Sequence, residues 1–233
     1  LLRRMPSLPQ EESVIPRRTL LTALGLLPFT AAVRAQALSP LPQVSTGRID
    51  RLADFPSRHV AARHVDVWLP ADYSPGKRYD LIVSIGALHH TGDCHGAIRR
   101  IAADLLAPGG HFFIGLYHLH GRAPFLAHFE ALQAQGADDA TLFDAYRKLH
   151  PRITDQTHLR SWFRDQVLHP HETQHTLAEL LPVLHDAGLE LAATSLNSFA
   201  PIDDLPALLA SEAGQRDLAV QRLQEGRYFP GFF

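Results

Sequence analysis

The chain is poor in the residues that would announce a chemistry. It holds one cysteine, Cys94, in 233 residues, which excludes an internal disulfide and any multi-cysteine metal site. No G-x-G-x-G or G-x-G-x-x-G occurs, so no glycine-rich loop is available to cradle a nucleotide or phosphate. The nucleophile elbow G-x-S-x-G is missing too: Ser84 stands in Ile82-Val83-Ser84-Ile85-Gly86, which lacks the first glycine. A formal net charge of −2 gives no basic surface for nucleic acid or anionic lipid. Between Thr19 and Val33 there is no charged residue, but Pro28 interrupts that stretch and it is too short for a permanent bilayer span.

What is present is an ordinary globular composition. With 45% hydrophobic and 20% charged residues, the chain can bury a full domain core. The stretch that organises it is Tyr79 to Tyr117. Leu81 to Ile85 is short, apolar and β-branched, as expected of a buried parallel strand. A polar loop from Gly86 to Asp93 carries His89, His90 and Thr91. Ile98, Ile101, Ala102 and Leu105 then recur at helical spacing. Pro108-Gly109-Gly110 stops that helix, and His111 to Tyr117 reads as a second strand. Strand, helix and strand at this length predict a right-handed βαβ crossover. Ligands of such sheets sit at the carboxyl ends of the strands, here at Ser84, Ile85 and Gly86.

DLIVSIGALHHTGD, an amphipathic helix and LLAPGGHFFIGLY together resemble the second half of a class I S-adenosylmethionine-dependent methyltransferase. Trp162 to Leu191, WFRDQVLHPHETQHTLAELLPVLHDAGLEL, resembles one bacterial subgroup of these enzymes. The resemblance implies an α/β fold: an incomplete Rossmann-like methyltransferase sheet with helices, lacking the first three strands. It also implies S-adenosyl-L-methionine as cofactor and methyl transfer to a small-molecule or other nucleophile. Ser84, Ile85, Gly86 and His89 are the cofactor-side residues it carries over, and Tyr117, His118 and His169 are the substrate-side candidates. The glycine-rich cofactor loop and the acidic residue for the ribose are missing from the pattern. The expected protein is therefore a methyltransferase remnant that does not bind its cofactor and is inactive.

The N-terminal part has another character. Arg17-Arg18, an apolar stretch and Ala35-Gln36-Ala37 follow the order of a secretory signal peptide of the twin-arginine type, assigned to residues 1–37. Used, it would send the chain to the periplasm or outside, whereas methyltransferases of the resembled family are cytoplasmic. The chain opens on Leu1, and Met5 is the first candidate start. Residues 38–78 read as linker and leader. His64 to Leu69 alternates as a strand, Pro70 ends it and Ser74-Pro75-Gly76 turns. Gly47 to Asp80 resembles the opening of secreted esterases of the α/β-hydrolase superfamily, without their catalytic machinery. The expected organisation is thus chimeric: signal, esterase-like leader, and a partial, truncated methyltransferase domain over 79–233. The rival functions are an exported esterase or a non-catalytic fusion product. The strand at His64 to Leu69 is expected to pair with Leu81 to Ser84, closing the edge that a missing first strand would leave.

Past Tyr117 the pattern is helical. Ala123 to Ala134 and Asp139 to Leu149 read as helices. Thr176 to Glu179 forms a capping box, Gly188 ends its helix, and Leu189, Leu191 and Ala193 alternate as a strand. A short helix follows Asp204, and Tyr228 to Phe233 resembles the start of a last strand. Among 15 histidines, His169, His171 and His175 form H-x-H-x-x-x-H near Glu172, and on a helix His171 and His175 would share a face. The resembled subgroup implies no metal there, so none is expected. Cys94 has only His95 beside it and reads as an inert helix-start residue. The expected partner is a small-molecule substrate, with no nucleic acid and no stable membrane span.

Overall fold

The computed structural model describes residues 1–5, 40–55, 63–169, 171–229 and 231–233. The expected signal, with Arg17 and Arg18, lies outside the described residues. The chain divides into two units: Leu8–Pro75 forms one, and Leu1–Ser7 with Gly76–Phe233 forms the other.

In the smaller unit, β2 (Arg48–Phe55) and β3 (Arg63–Leu69) pair antiparallel, from Arg48 opposite Leu69 to Phe55 opposite Arg63. Arg51 and Asp66 face each other across the ladder in a two-pronged ion pair, at 2.6 and 2.7 Å. Gly47 precedes β2 with φ +74°, and a Cβ there would lie 2.2 Å from the Leu69 carbonyl oxygen, so only glycine fits. The expected partner of β3 is therefore corrected. It takes the neighbouring strand β2, which closes a short loop at lower entropic cost than a more distant strand would.

The larger unit is built on a four-stranded mixed sheet. Its strands are β4 (Tyr79–Ile85), β5 (Leu106–Gly115), β1 (Leu2–Arg4) and β8 (Leu189–Leu191), in the order β4-β5-β1-β8. β4 and β5 are parallel and joined by α1 (Cys94–Arg100), which gives the expected crossover. Asp93 caps α1 by accepting from the Gly96 amide at 2.8 Å. A π-helical turn, Ile101–Leu105, continues it to the start of β5. Pro108-Gly109-Gly110 thus lies inside β5, as a bulge: Tyr79 pairs with Leu106, and Leu81 already with His111. The strand begins five residues before the expected His111.

β1 was not legible as a strand. It lies antiparallel between β5 and β8, with Leu2 opposite both Phe112 and Leu191. One face of the sheet is packed: Leu2, Ile98, Ala102, Phe112, Leu180 and Leu184 form one core. The last two come from α5 (Leu177–Asp186), capped by Thr176 and ended by Gly188 at φ +70°, as expected. The other face of β4 is open. Leu81, Val83 and Ile85 are 60%, 58% and 59% exposed, which corrects the expectation of a buried strand. β4 is also an edge strand, bonded only to β5 among the described strands, and no layer of the described residues covers this face.

A second core lies among α2 (Leu119–Ala134), α3 (Asp139–Lys148) and α4 (Gln156–Gln166), through Phe125, Phe129, Tyr146, Leu159 and Phe163. α6 (Leu205–Ser211) starts from the cap Asp204, and α7 (Gly214–Gln224) follows. The C-terminal residues pair back on the chain: Leu116 and Phe233 exchange both backbone bonds, at 3.1 and 3.3 Å. No helix among the described residues is long and apolar enough to cross a membrane. The architecture is α/β, consistent with a Rossmann-like methyltransferase fold.

Candidate functional site

The carboxyl ends of β4 and β5 converge with a two-stranded parallel ladder, β6 (Tyr117–His118) against β7 (Gln174–His175). Gly86, just past β4, turns with φ +70° and donates its amide to the Gly115 carbonyl at 3.2 Å. A 3-10 turn, Leu88–His90, then drives the His89 ring inward. His89 is fully buried, 4.1 Å from the Tyr117 ring, 4.3 Å from His90 and 5.7 Å from Phe232, measured between ring centroids. Phe232 itself stacks on Tyr117 at 4.6 Å. Behind Tyr117 lies the Arg122 guanidinium, 4.1 Å from the ring centre.

These neighbours set the chemistry. Burial is the main cause that pushes His89 down to about 3, helped by the nearby His90 and Arg122. Burial pushes the Tyr117 phenol up to about 12. Neither group exchanges a proton near neutrality, so the cluster is a packed aromatic block and not an acid–base pair. Cys94, buried at the start of α1, is pushed up to about 11, chiefly by burial, and stays a thiol.

Of the residues expected at the site, the structure brings His89 and Tyr117 into contact, and His169 reaches them through His90, its ring 4.0 Å away. Ser84 is half-buried, and Ile85 lies at the mouth of a cavity of about 230 Å³. His118 is engaged elsewhere. Its Nδ1 accepts from the Gly121 amide at 3.3 Å, capping α2, and its Nε2 meets Glu212 at 3.0 Å. That carboxylate also receives the Leu177 and Ala178 amides at the start of α5. His171 and His175 do not share a helix: β7 is extended, and His175 turns toward Glu179 on α5. Sequence reasoning missed Arg122 and Glu172 as a buried pair. The signal available was an arginine set beside the apolar run Ala123 to Ala127 of the helix Leu119–Ala134.

The cavity is lined by Ile98, Leu116, Leu177, Leu184 and Phe233 among others, and Thr194 and Ser195 are its polar side chains. Among the described residues, no Asp or Glu side chain lines it.

Residues 31–194 match the profile of a family described as a methyltransferase domain. The chain belongs to that family, whose members generally take the methyl group from S-adenosylmethionine. The match begins inside the expected signal segment and runs through the leader and the sheet to just beyond β8. No curated protein matches the chain. The residues around the cavity do not fit the cofactor. It presents a sulfonium, two ribose hydroxyls and an amino-carboxylate, and a lining that among the described residues is apolar apart from two small hydroxyls leaves most of these without partners. His89 is enclosed by rings and offers it no exposed atom.

The buried histidines make stability depend on pH. Burial also pushes His150 down to about 4. Both rings are neutral in the folded chain but take up a proton near 6.5 when unfolded, so the unfolded state binds more protons as the pH falls. Their contribution is intact above pH 6.5 and is lost progressively toward 4 and 3. Each pH unit below 6.5 removes up to about 1.4 kcal/mol per ring. Urea midpoints are expected to fall from pH 7 to pH 5, and His150→Gln should flatten the slope; equal midpoints at the two pH values would refute this.

Proposed function

We propose that the chain is a methyltransferase domain that retains the later strands and the acceptor side of its fold but does not, as it stands, transfer methyl groups. The observation that supports this most directly is the cavity at the carboxyl ends of β4 and β5, apolar where the cofactor needs polar partners. A second is the edge of β4 that is unpaired among the described strands, where the resembled fold would place its first strand and the glycine loop. A small acceptor with an apolar body is the ligand class that such a cavity suits.

Incubation with methyl-labelled S-adenosylmethionine and a panel of small phenols, amines and thiols tests this. No label should move above the enzyme-free rate. Transfer to any acceptor that is lost in Gly86→Val would overturn the proposal of inactivity and place the cofactor at that loop.

A further inference from the structure

One cluster outside the aromatic block combines three ligand atoms from three separate elements. His95 on α1, His175 on β7 and Glu179 on α5 each offer one ligand atom, and the three lie within 4.8 Å of one another. The Glu179 Oε1 is 3.5 Å from His95 Nε2 and 3.4 Å from His175 Nδ1. These gaps are long for a hydrogen bond to a charged group, which closes to about 2.7–2.9 Å. They match the spacing of about 3.2–3.5 Å between ligands that each stand about 2.0–2.2 Å from one tetrahedral ion. His95 Nε2 is buried and makes no hydrogen bond.

Thr173 links this cluster to the His89 turn. Its hydroxyl lies 3.1 Å from the His89 carbonyl and 2.9 Å from His175 Nε2. A proton on Nε2, donated to the Thr173 oxygen, would leave the His175 Nδ1 lone pair free for a ligand role.

We propose that His95, His175 and Glu179 form a zinc site, with Thr173 orienting His175 and a fourth position open on the exposed Glu179 side. This departs from the expectation that the histidines hold no metal. Two neutral imidazoles and one carboxylate suit zinc and disfavour magnesium or calcium, which prefer an all-oxygen shell. The ion would tie α1, β7 and the first turn of α5 together, and through Thr173 it would hold the His89 turn. It is a clip on the fold, and no step of methyl transfer passes through it.

The test uses the untagged full chain, stripped of metal and titrated with zinc chloride by calorimetry, and with cobalt(II) by visible absorption. One equivalent of zinc should bind at about 1 μM or tighter, and cobalt should give the intense bands of a tetrahedral site. Glu179→Gln and His95→Ala change partly exposed side chains and should keep the fold; each should weaken binding about 100-fold, and Thr173→Val about 10-fold or more. His171→Ala should leave the affinity unchanged. No saturable binding would overturn the proposal, as would wild-type affinity in both Glu179→Gln and His95→Ala, or a loss confined to His171→Ala.

Discussion

Arg122→Ala is expected to destabilise the protein by about 3–5 kcal/mol, because it leaves the partly buried Glu172 carboxylate without its counter-charge and a cavity where a fully buried side chain stood. The Arg122 side chain is fully buried, and its guanidinium lies against the rings of Tyr117 and Phe125 at 4.1 and 4.5 Å. Nε and Nη2 reach the two oxygens of Glu172 at 3.0 and 2.8 Å. Nη1 and Nη2 also donate to the side chain and carbonyl of Gln166, at 3.1 and 2.7 Å. Four donations from one planar group join α2, the end of α4 and the strand segment before β7. The Tyr228 hydroxyl completes the network by donating to Gln166 at 2.5 Å. Arg122→Met keeps the volume but not the charge and should cost nearly as much. The double replacement Arg122→Met with Glu172→Gln should recover a large part of the loss, because no bare charge remains. Urea unfolding of the three variants measures this. A cost below about 1 kcal/mol for Arg122→Ala would mean that the pair is solvated and not a structural tie.

Removing Leu1–Arg4 is expected to be as damaging, although only four residues leave. β1 fills the slot between β5 and β8, and without it β8 loses its one partner among the described strands and β5 keeps only β4. Leu2 is buried in the sheet's core. The Leu1 ammonium donates to the Ala193 carbonyl at 2.7 Å, and the Leu1 carbonyl accepts from Ala192 and Ala193 at 2.8 and 3.1 Å. Arg4 binds the Leu106 carbonyl. Leu2→Ala alone should cost about 2–5 kcal/mol, lowering the urea midpoint by about 1–3 M. Arg3→Ala is the control: its contact with Glu190 is 3.9 Å and exposed, worth at most about 1 kcal/mol. If Leu2→Ala unfolds no sooner than Arg3→Ala, β1 does not hold the sheet together.

These two predictions rest on parts of the molecule that the sequence did not disclose, and the reason is the same in both. β4, α1 and the body of β5 could be read because each carries its own signal, an apolar run or a 3.6-residue period; the Pro108-Gly109-Gly110 stop instead lies inside β5, because the helical segment already ends at Leu105. α5 could be read from Thr176 and Gly188, since caps are local chemistry. β1 has three residues and two arginines, and it becomes a strand only through partners more than 100 positions away, Phe112 and Leu191. β2, with charged residues at Arg48, Asp50, Arg51 and Asp54, alternates too weakly to stand out as a strand, which leaves β4 as the nearest legible neighbour of β3. The site divides in the same way. The loop at Ser84 to His89 was found from the pattern, but its enclosure by Tyr117 and Phe232 depends on the C-terminus folding back. The histidines at 169, 171 and 175 suggested a helical metal set. The extended backbone there breaks that set up, and His95, from a distant helix, meets His175 instead.

The central claim is that this methyltransferase-family chain lacks the polar half of its cofactor site. Calorimetric titration with S-adenosylmethionine tests it most directly. Each unmet polar contact costs on the order of 1–3 kcal/mol, and two or three move a micromolar site to millimolar or weaker. No heat of binding is therefore expected up to about 100 μM ligand, at 100-fold above a typical micromolar constant. Saturable binding at about 1–10 μM, lost in Gly86→Val, would contradict the account and show that the loop after β4 belongs to a complete cofactor site.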